Sequence, residues 1–319
     1  MNALHLYTHP ACLAHRPGPA HVERPARLQA VTEAIGAAFP QLQWHEAPRA
    51  SRSQLLRVHD DALLALVLDT ELEAGDIPFA LDPDTALGIG SAEAALRAAG
   101  AGIAAVDAVM AGEARRAFCA VRPPGHHATG STAMGFCLFN NIAVAAAHAC
   151  ERHGLDRIAV VDFDVHHGNG TQAIFDSDPR VMYLSSHQSP LYPDSGRADE
   201  HGVGNVLNLP LPPGTDSEAF RAAWRDQLLR ALDGFRPKLL LVSAGFDAHR
   251  LDPLAQCELD ADDYRWLTSE LVAIAERHAD GRLVSMLEGG YDLVALRESS
   301  VAHVGALLSA SASRAETPT

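Results

Sequence analysis

Arg157-Ile158-Ala159-Val160-Val161 runs without a break into Asp162-Phe163-Asp164-Val165-His166-His167-Gly168-Asn169-Gly170. The first stretch is apolar and largely β-branched, the pattern of a strand covered on both faces. Such a strand belongs inside a parallel sheet, and that points to an α/β fold. The polar end makes little sense as packing, because burying a charge costs several kcal/mol unless a partner or a metal compensates it. Asp164 and His166 are spaced i, i+2, so on a strand both side chains point to one face. An aspartate and a histidine converging from a strand end look like two ligands of a divalent metal.

The rest of the chain repeats this alternation. Strands are expected at Leu4–Tyr7, Ala117–Val121, Ile158–Phe163, Val181–Ser185, Val206–Leu209, Leu239–Ala244 and Leu283–Leu287. Helical patterns lie over Ala26–Phe39, Ser91–Met110, Asn141–His153, Ser217–Gly234, Asp262–His278 and Leu293–Leu308. Strands separated by long helical intervals imply a three-layer αβα architecture around a mostly parallel sheet. No repeat or linker divides the chain, so a single domain is expected over 1–308, followed by a small, polar, frayed tail over 309–319. Gly/Pro/His-rich segments follow several strands, where open α/β sheets build their sites. Examples are Arg122–Gly135, His187–Gly204 and Gly245–Asp260.

Hydrophobic residues make up 47% of the 319 and charged residues 20%, enough for a full core. The net charge of −15 works against binding nucleic acid through its phosphates and suits a cationic substrate. No apolar run reaches the roughly 20 residues that span a bilayer. The start, Met1-Asn2-Ala3-Leu4-His5-Leu6-Tyr7, lacks a basic region followed by an apolar one. A cytoplasmic protein without membrane attachment is expected, with homo-oligomerisation left open. Cys12, Cys119, Cys137, Cys150 and Cys257 have no CxxC spacing and read as reduced thiols. Lys238 is the only lysine.

Three further segments suit chemistry. In Arg122-Pro123-Pro124-Gly125-His126-His127-Ala128, adjacent imidazoles on a stiffened turn suit acid/base work. In Ser243-Ala244-Gly245-Phe246-Asp247-Ala248-His249, a carboxylate again follows an apolar strand. In Leu287-Glu288-Gly289-Gly290-Tyr291-Asp292, paired glycines allow a sharp turn that presents a tyrosine. The plain alternative for Tyr291 is a half-buried aromatic with a satisfied hydroxyl.

With Met134-Gly135-Phe136-Cys137-Leu138-Phe139-Asn140-Asn141 and Asp252-Pro253-Leu254, these segments resemble the zinc-dependent histone deacetylase family, within the arginase/deacetylase fold. The resemblance runs from about Tyr7 to about Leu308. The segments His9–Cys12 and His21–Leu28 look like the class II branch and its bacterial relatives. So does Asn169, where the class I branch usually has Asp.

The resemblance implies that Asp164, His166 and Asp247 bind Zn²⁺, with Fe²⁺ or Mn²⁺ also compatible with oxygen-rich ligation. His126 and His127 would flank the attacking water, held by Asp162 and Asn169 respectively, and Tyr291 would donate to the oxyanion. Gly135, Phe136, Tyr192, Leu254 and Gly290 would form the substrate tunnel. A structural K⁺ is implied at Asp162, Asp164, His166, Ser185 and Ser186, and a second at Phe175, Asp178, Val181 and Asn205. Arg27 would face a channel for released acetate, or else sit on a helix surface paired with Glu23. His9, Cys12, His15 and His21 are expected at the rim of the site. Asp82 and Asp84 are read as grips for a substrate backbone or, slightly favoured, as caps for the helix near Ser91.

The implied activity is removal of acetyl or other acyl groups from a lysine peptide or a small acylated amine. An acetylpolyamine amidohydrolase is the first alternative. That branch tends to place an acidic gatekeeper where this chain has Leu254, which argues against it. A catalytically silent acyl-lysine binder is disfavoured by Tyr291 and the full ligand set. A binuclear manganese ureohydrolase needs bridging aspartates, whereas Val165-His166-His167 follow Asp164.

Overall fold

The computed structural model describes residues 2–73 and 75–309. Its strands are β1 (Asn2–Thr8), β2 (Trp44–Glu46), β3 (Phe79–Ala80), β4 (Ala86–Leu87), β5 (Ala114–Cys119), β6 (Ile158–Asp162), β7 (Val181–Gln188), β8 (Val206–Leu211), β9 (Leu239–Ala244) and β10 (Leu283–Leu287). All seven expected strands form. β2 joins them unforeseen, in an eight-stranded sheet of order β2-β1-β5-β10-β9-β6-β7-β8. Its pairings are parallel throughout. β3 and β4 form a separate antiparallel ribbon. Every residue of β6, β9 and β10 is buried, which explains why these strands read as continuous apolar runs rather than alternating ones.

Helices cover both faces. Met286 of β10 packs towards Gly102 and Ala145, so tightly that a Cβ on Gly102 would press on the Met286 sulfur. Its neighbour Ser285 points the other way and meets His303 at 2.8 Å. Thus Ser91–Ala111 and Asn141–His153 cover one face, while Ala261–His278 and Leu293–Ser309 cover the other. Three differences from expectation have local causes. Ser91–Ala111 has 21 residues, and an 18-residue stretch of it has a mean hydropathy of 1.4, so by length and composition it is able to cross a membrane, yet most of that stretch is buried inside this protein. The helix expected over Ser217–Gly234 contains a π-helical turn at Trp224–Leu228. Short helices at Ala11–Ala14, Arg52–Leu55, Asp61–Leu68 and Asn169–Phe175 fell below the length at which periodicity is legible. The expected tail lies outside the described residues, except for Ser309, which closes the last helix.

The sheet register positions the site. Cys119, Met286, Ser243 and Asp162 pair successively across β5, β10, β9 and β6, forming one level row at the strand ends. The four loops that follow leave from this row, in the middle of the sheet.

Candidate functional site

The loop after β5 brings His126 and His127, that after β6 Asp164 and His166, that after β9 Asp247, and that after β10 Tyr291. β6 ends at Asp162, so Asp164 and His166 lie in a loop, not on a strand as their spacing suggested. They converge with Asp247 all the same. His166 Nδ1 lies 3.1 Å from Asp164 Oδ1 and 3.1 Å from Asp247 Oδ2. One donor atom from each of the three buried residues falls within 4.8 Å of the others. The outer oxygens are anchored: Asp164 Oδ2 accepts from Gly289 N and Asp247 Oδ1 from Val165 N, both at 2.8 Å. Gly245 and Gly289 make room, since a Cβ on either would collide with these carboxylates. Two buried carboxylates this close repel, and a divalent cation is the compensation this N/O donor set fits. A second group of potential ligands, Asp107, His148 and His153, does not share that fit. Arg57 donates to His148 Nδ1 at 2.8 Å, so the proton sits on Nε2, which donates to Asp107 at 2.8 Å.

The two histidine rings lie against each other, tilted by 46°, with centroids 4.0 Å apart. His126 Nδ1 meets Asp162 Oδ2 at 3.0 Å, and His127 Nδ1 meets Asn169 Oδ1 at 2.8 Å. The different partners separate the two rings electrostatically. Against the cost of burial, Asp162 and Asp164 push His126 up to about 10. Burial, reinforced by His126 and His166, holds His127 well below the ordinary histidine range. The aspartate partner thus favours the protonated form of the first ring, and the asparagine partner leaves the second inclined to its neutral form. His167 turns away to bond Ser195 and Gln172 at 2.8 and 2.9 Å, supporting the loop.

Each residue around Tyr291 is held from a different direction. Glu288 Oε2 accepts the main-chain N–H groups of Gly125 and His126 at 2.6 and 3.2 Å, tying the histidine loop to the tyrosine loop. Burial pushes its carboxyl up to about 7. Arg27 donates to the carbonyls of Gly290 and Glu288, both at 2.5 Å, and its Cζ lies 4.8 Å from the Tyr291 ring centroid. Arg27 does pair with Glu23, at 3.0 Å, but both are fully buried, so the helix-surface reading fails. Glu23 also receives Arg122. These bracing roles of Glu23, Arg122 and Glu288 were missed from the sequence. The available signal was a glutamate directly after the buried strand Leu283–Leu287.

A cavity of about 240 Å³ leads to these groups, lined by Asp84, His127, Gly135, Phe136, His166, Leu191, Tyr192, Leu254 and Tyr291. A larger cavity of about 590 Å³, bounded by Arg16, Arg24 and Ile89 among others, holds none of the chemistry. Phe136 adopts a left-handed φ of 68°, and its N–H donates to Thr85 Oγ1 at 2.9 Å. Gly135, at φ 57°, lies where a Cβ would collide with the His127 ring. Gly290 is not among the lining residues; it turns the chain, at φ 114°.

Of the expected rim residues, His21 packs on Phe136 at 4.7 Å between centroids, but Cys12 and His15 are buried, their carbonyls accepting from Arg122. Asp82 and Asp84 do not cap the helix at Ser91, whose N-cap is Gly90. Asp82 Oδ1 instead closes its own turn on Asp84 N and Thr85 N. In the first set implied for K⁺, Asp162 pairs with Ser185 across β6 and β7, and Ser186 Oγ accepts from Trp224. In the second, the carbonyls of Phe175, Asp178 and Val181 converge, but on the Asn205 side-chain nitrogen, at 2.7, 3.0 and 2.8 Å. The five cysteines are all buried and unpaired.

Residues 21–307 match the family model of the histone deacetylase domain. A histone deacetylase-like amidohydrolase of Pseudomonas aeruginosa is 45% identical over 88% of this chain and 74% of its own length. The human polyamine deacetylase HDAC10 is 37% identical over 90% of this chain and 44% of its own. The crystal structure of the HDA15 HD domain superposes with a TM-score of 0.90 at 34% identity, over 96% of this chain and 88% of that one. Fold similarity and sequence similarity thus coincide along nearly the whole chain, which belongs to the histone deacetylase family of amide hydrolases.

Proposed function

We propose that the protein removes acetyl or other acyl groups from an amine such as the lysine side chain. One observation carries this reading: a metal-suited triad, a histidine pair held by an aspartate on one ring and an asparagine on the other, and Tyr291 meet at one narrow cavity. Asp164, His166 and Asp247 would hold Zn²⁺, with Fe²⁺ or Mn²⁺ as alternatives; the bound ion supplies Lewis-acid activation of water and the acyl carbonyl.

The side chains divide the remaining work. His127, with Nδ1–H directed at Asn169, keeps Nε2 free to take a proton from the attacking water and return it to the leaving amine. His126, cationic beside Asp162, stabilises the negative charge that develops. The Tyr291 hydroxyl donates to the developing oxyanion. Phe136 and Tyr192 clasp a linear alkyl stem, and Leu254 offers a second ammonium group nothing to bind. A structural K⁺ is proposed at Asp162, Asp164, His166, Ser185 and Ser186.

A second reading, an acetylpolyamine substrate, is favoured by Asp84 among the cavity-lining residues and by the similarity to a polyamine deacetylase. Kinetics measured side by side on acetyl-lysine peptides, longer acyl-lysines and acetylpolyamines separate the two. Acyl-lysine peptides are expected to have the higher kcat/KM; far faster turnover of acetylputrescine or acetylspermidine would overturn the first reading. Asp247→Ala is expected to lose stoichiometric metal by elemental analysis, and a full metal count in that variant would sink the ligand assignment.

A further inference from the structure

The loop between β9 and the helix Ala261–His278 carries two site residues, Asp247 of the metal group and Leu254 of the cavity lining. Between them stands Asp252, only 7% exposed. Its Oδ2 accepts the main-chain N–H of Tyr291 at 2.7 Å, and its Oδ1 accepts the main-chain N–H of Leu254 at 3.0 Å. Tyr291 belongs to a different loop, the one after β10. Gly290, at φ 114°, lets the chain turn there, a conformation a side chain would resist. The base of the arm is also fixed. Asp252 N donates to His249 O at 2.8 Å, and His249 bridges to Leu259.

We infer that Asp252 is a positioning residue that holds the Tyr291 hydroxyl and the Leu254 side chain in one fixed relation, so that a single carboxylate sets both reaction rate and amine selection. The rate arm rests on the proposed oxyanion role of Tyr291. Without its acceptor, the Tyr291 amide would lose a buried partner, and the loop would turn to find another. A displacement of about 1 Å at a reacting centre costs about 10²-fold in rate. The selectivity arm runs through Leu254 and does not involve the hydroxyl.

The two arms are separable by a double-mutant cycle. Asp252→Asn replaces one accepting oxygen by an NH₂ group that cannot accept. It is expected to lower kcat on an acetyl-lysine peptide about 10–100-fold, with KM and metal content unchanged. In the Tyr291→Phe background the same change is expected to cost no more than about 2-fold, the usual scatter of independent effects. The ratio of kcat/KM between the peptide and acetylputrescine is expected to shift in both backgrounds. Asp252→Glu, which keeps the charge and lengthens the arm, is carried through the same cycle, with the same coupling expected, so the test stands if one variant does not fold. Full activity in both variants overturns the inference, as does an equal fall in both backgrounds or loss of metal. Unchanged kcat in Tyr291→Phe alone refutes the oxyanion role, an outcome read independently of Asp252.

Discussion

Replacing Tyr291 by phenylalanine removes one hydroxyl and leaves the ring against Arg27 and Phe136. Losing one oxyanion donor costs about 10²–10³ in kcat. Tyr291→Phe is therefore expected to keep its metal and lose most turnover in steady-state assays; an unchanged kcat would remove the hydroxyl from the chemistry. At this scale the sequence was legible where motif and chemistry coincided. The family resemblance of the motifs implies pairing of His126 with Asp162 and of His127 with Asn169, and both contacts are present. The braces were not. Glu288 meets Gly125 across 163 positions, and Arg122 meets Glu23 across 99. No local pattern encodes such pairs, because only the sheet brings them together. Asp82 shows the converse: its own turn on Asp84 and Thr85 displaced the expected role as a helix cap.

The helix Pro25–Ala38 is pinned at its start by one buried ionic cluster. Glu23, just before the helix, neutralises Arg27 within it and Arg122 on the loop after β5, and all three are fully buried. Glu23→Gln would leave two guanidinium groups facing a neutral amide. Breaking a buried pair by removing one partner costs about 3–5 kcal/mol. A drop of that size is expected in urea unfolding, and a loss below about 1 kcal/mol would show that the cluster is not what fixes this element. Helices and strands were mostly legible, because burial on both faces and helical periodicity leave distinct apolar patterns. β2 spans only Trp44–Glu46, too short for alternation to register. The π turn at Trp224–Leu228 leaves the apolar pattern intact while altering the hydrogen bonding. The indole of Trp224 meets Ser186 there at 3.1 Å.

Across the whole molecule, buried neutral histidines set a limit on acid stability. Burial pulls His303 from 6.5 down to about 3, where it bonds Thr268 and Ser285 at 2.6 and 2.8 Å. His59 and His187 fall to about 4 for the same reason, and His167 to about 3. A lowered folded-state value means that the unfolded chain binds more protons once pH drops below about 6.5. The contribution is complete above that pH. Below it, stability falls by about 1.4 kcal/mol per pH unit per histidine until the folded value is reached. His303→Phe is expected to lose about 1 kcal/mol at pH 7, from the unpaired Ser285 hydroxyl, yet to destabilise less steeply towards pH 5. Parallel urea midpoints for the two proteins across that range would exclude His303 as a contributor.

Lys238, the only lysine, immediately precedes β9, with its ammonium 2.7 Å from Asp156. The chemistry leaves from the opposite end of that strand, about 20 Å away at strand rise. A reagent that acylates or couples lysine amines thus has one side-chain handle, at the foot of the sheet. Immobilisation through it would tether the protein at the end of the sheet opposite the site-bearing loops, and acylation of Lys238 by such a reagent would leave the cavity unobstructed.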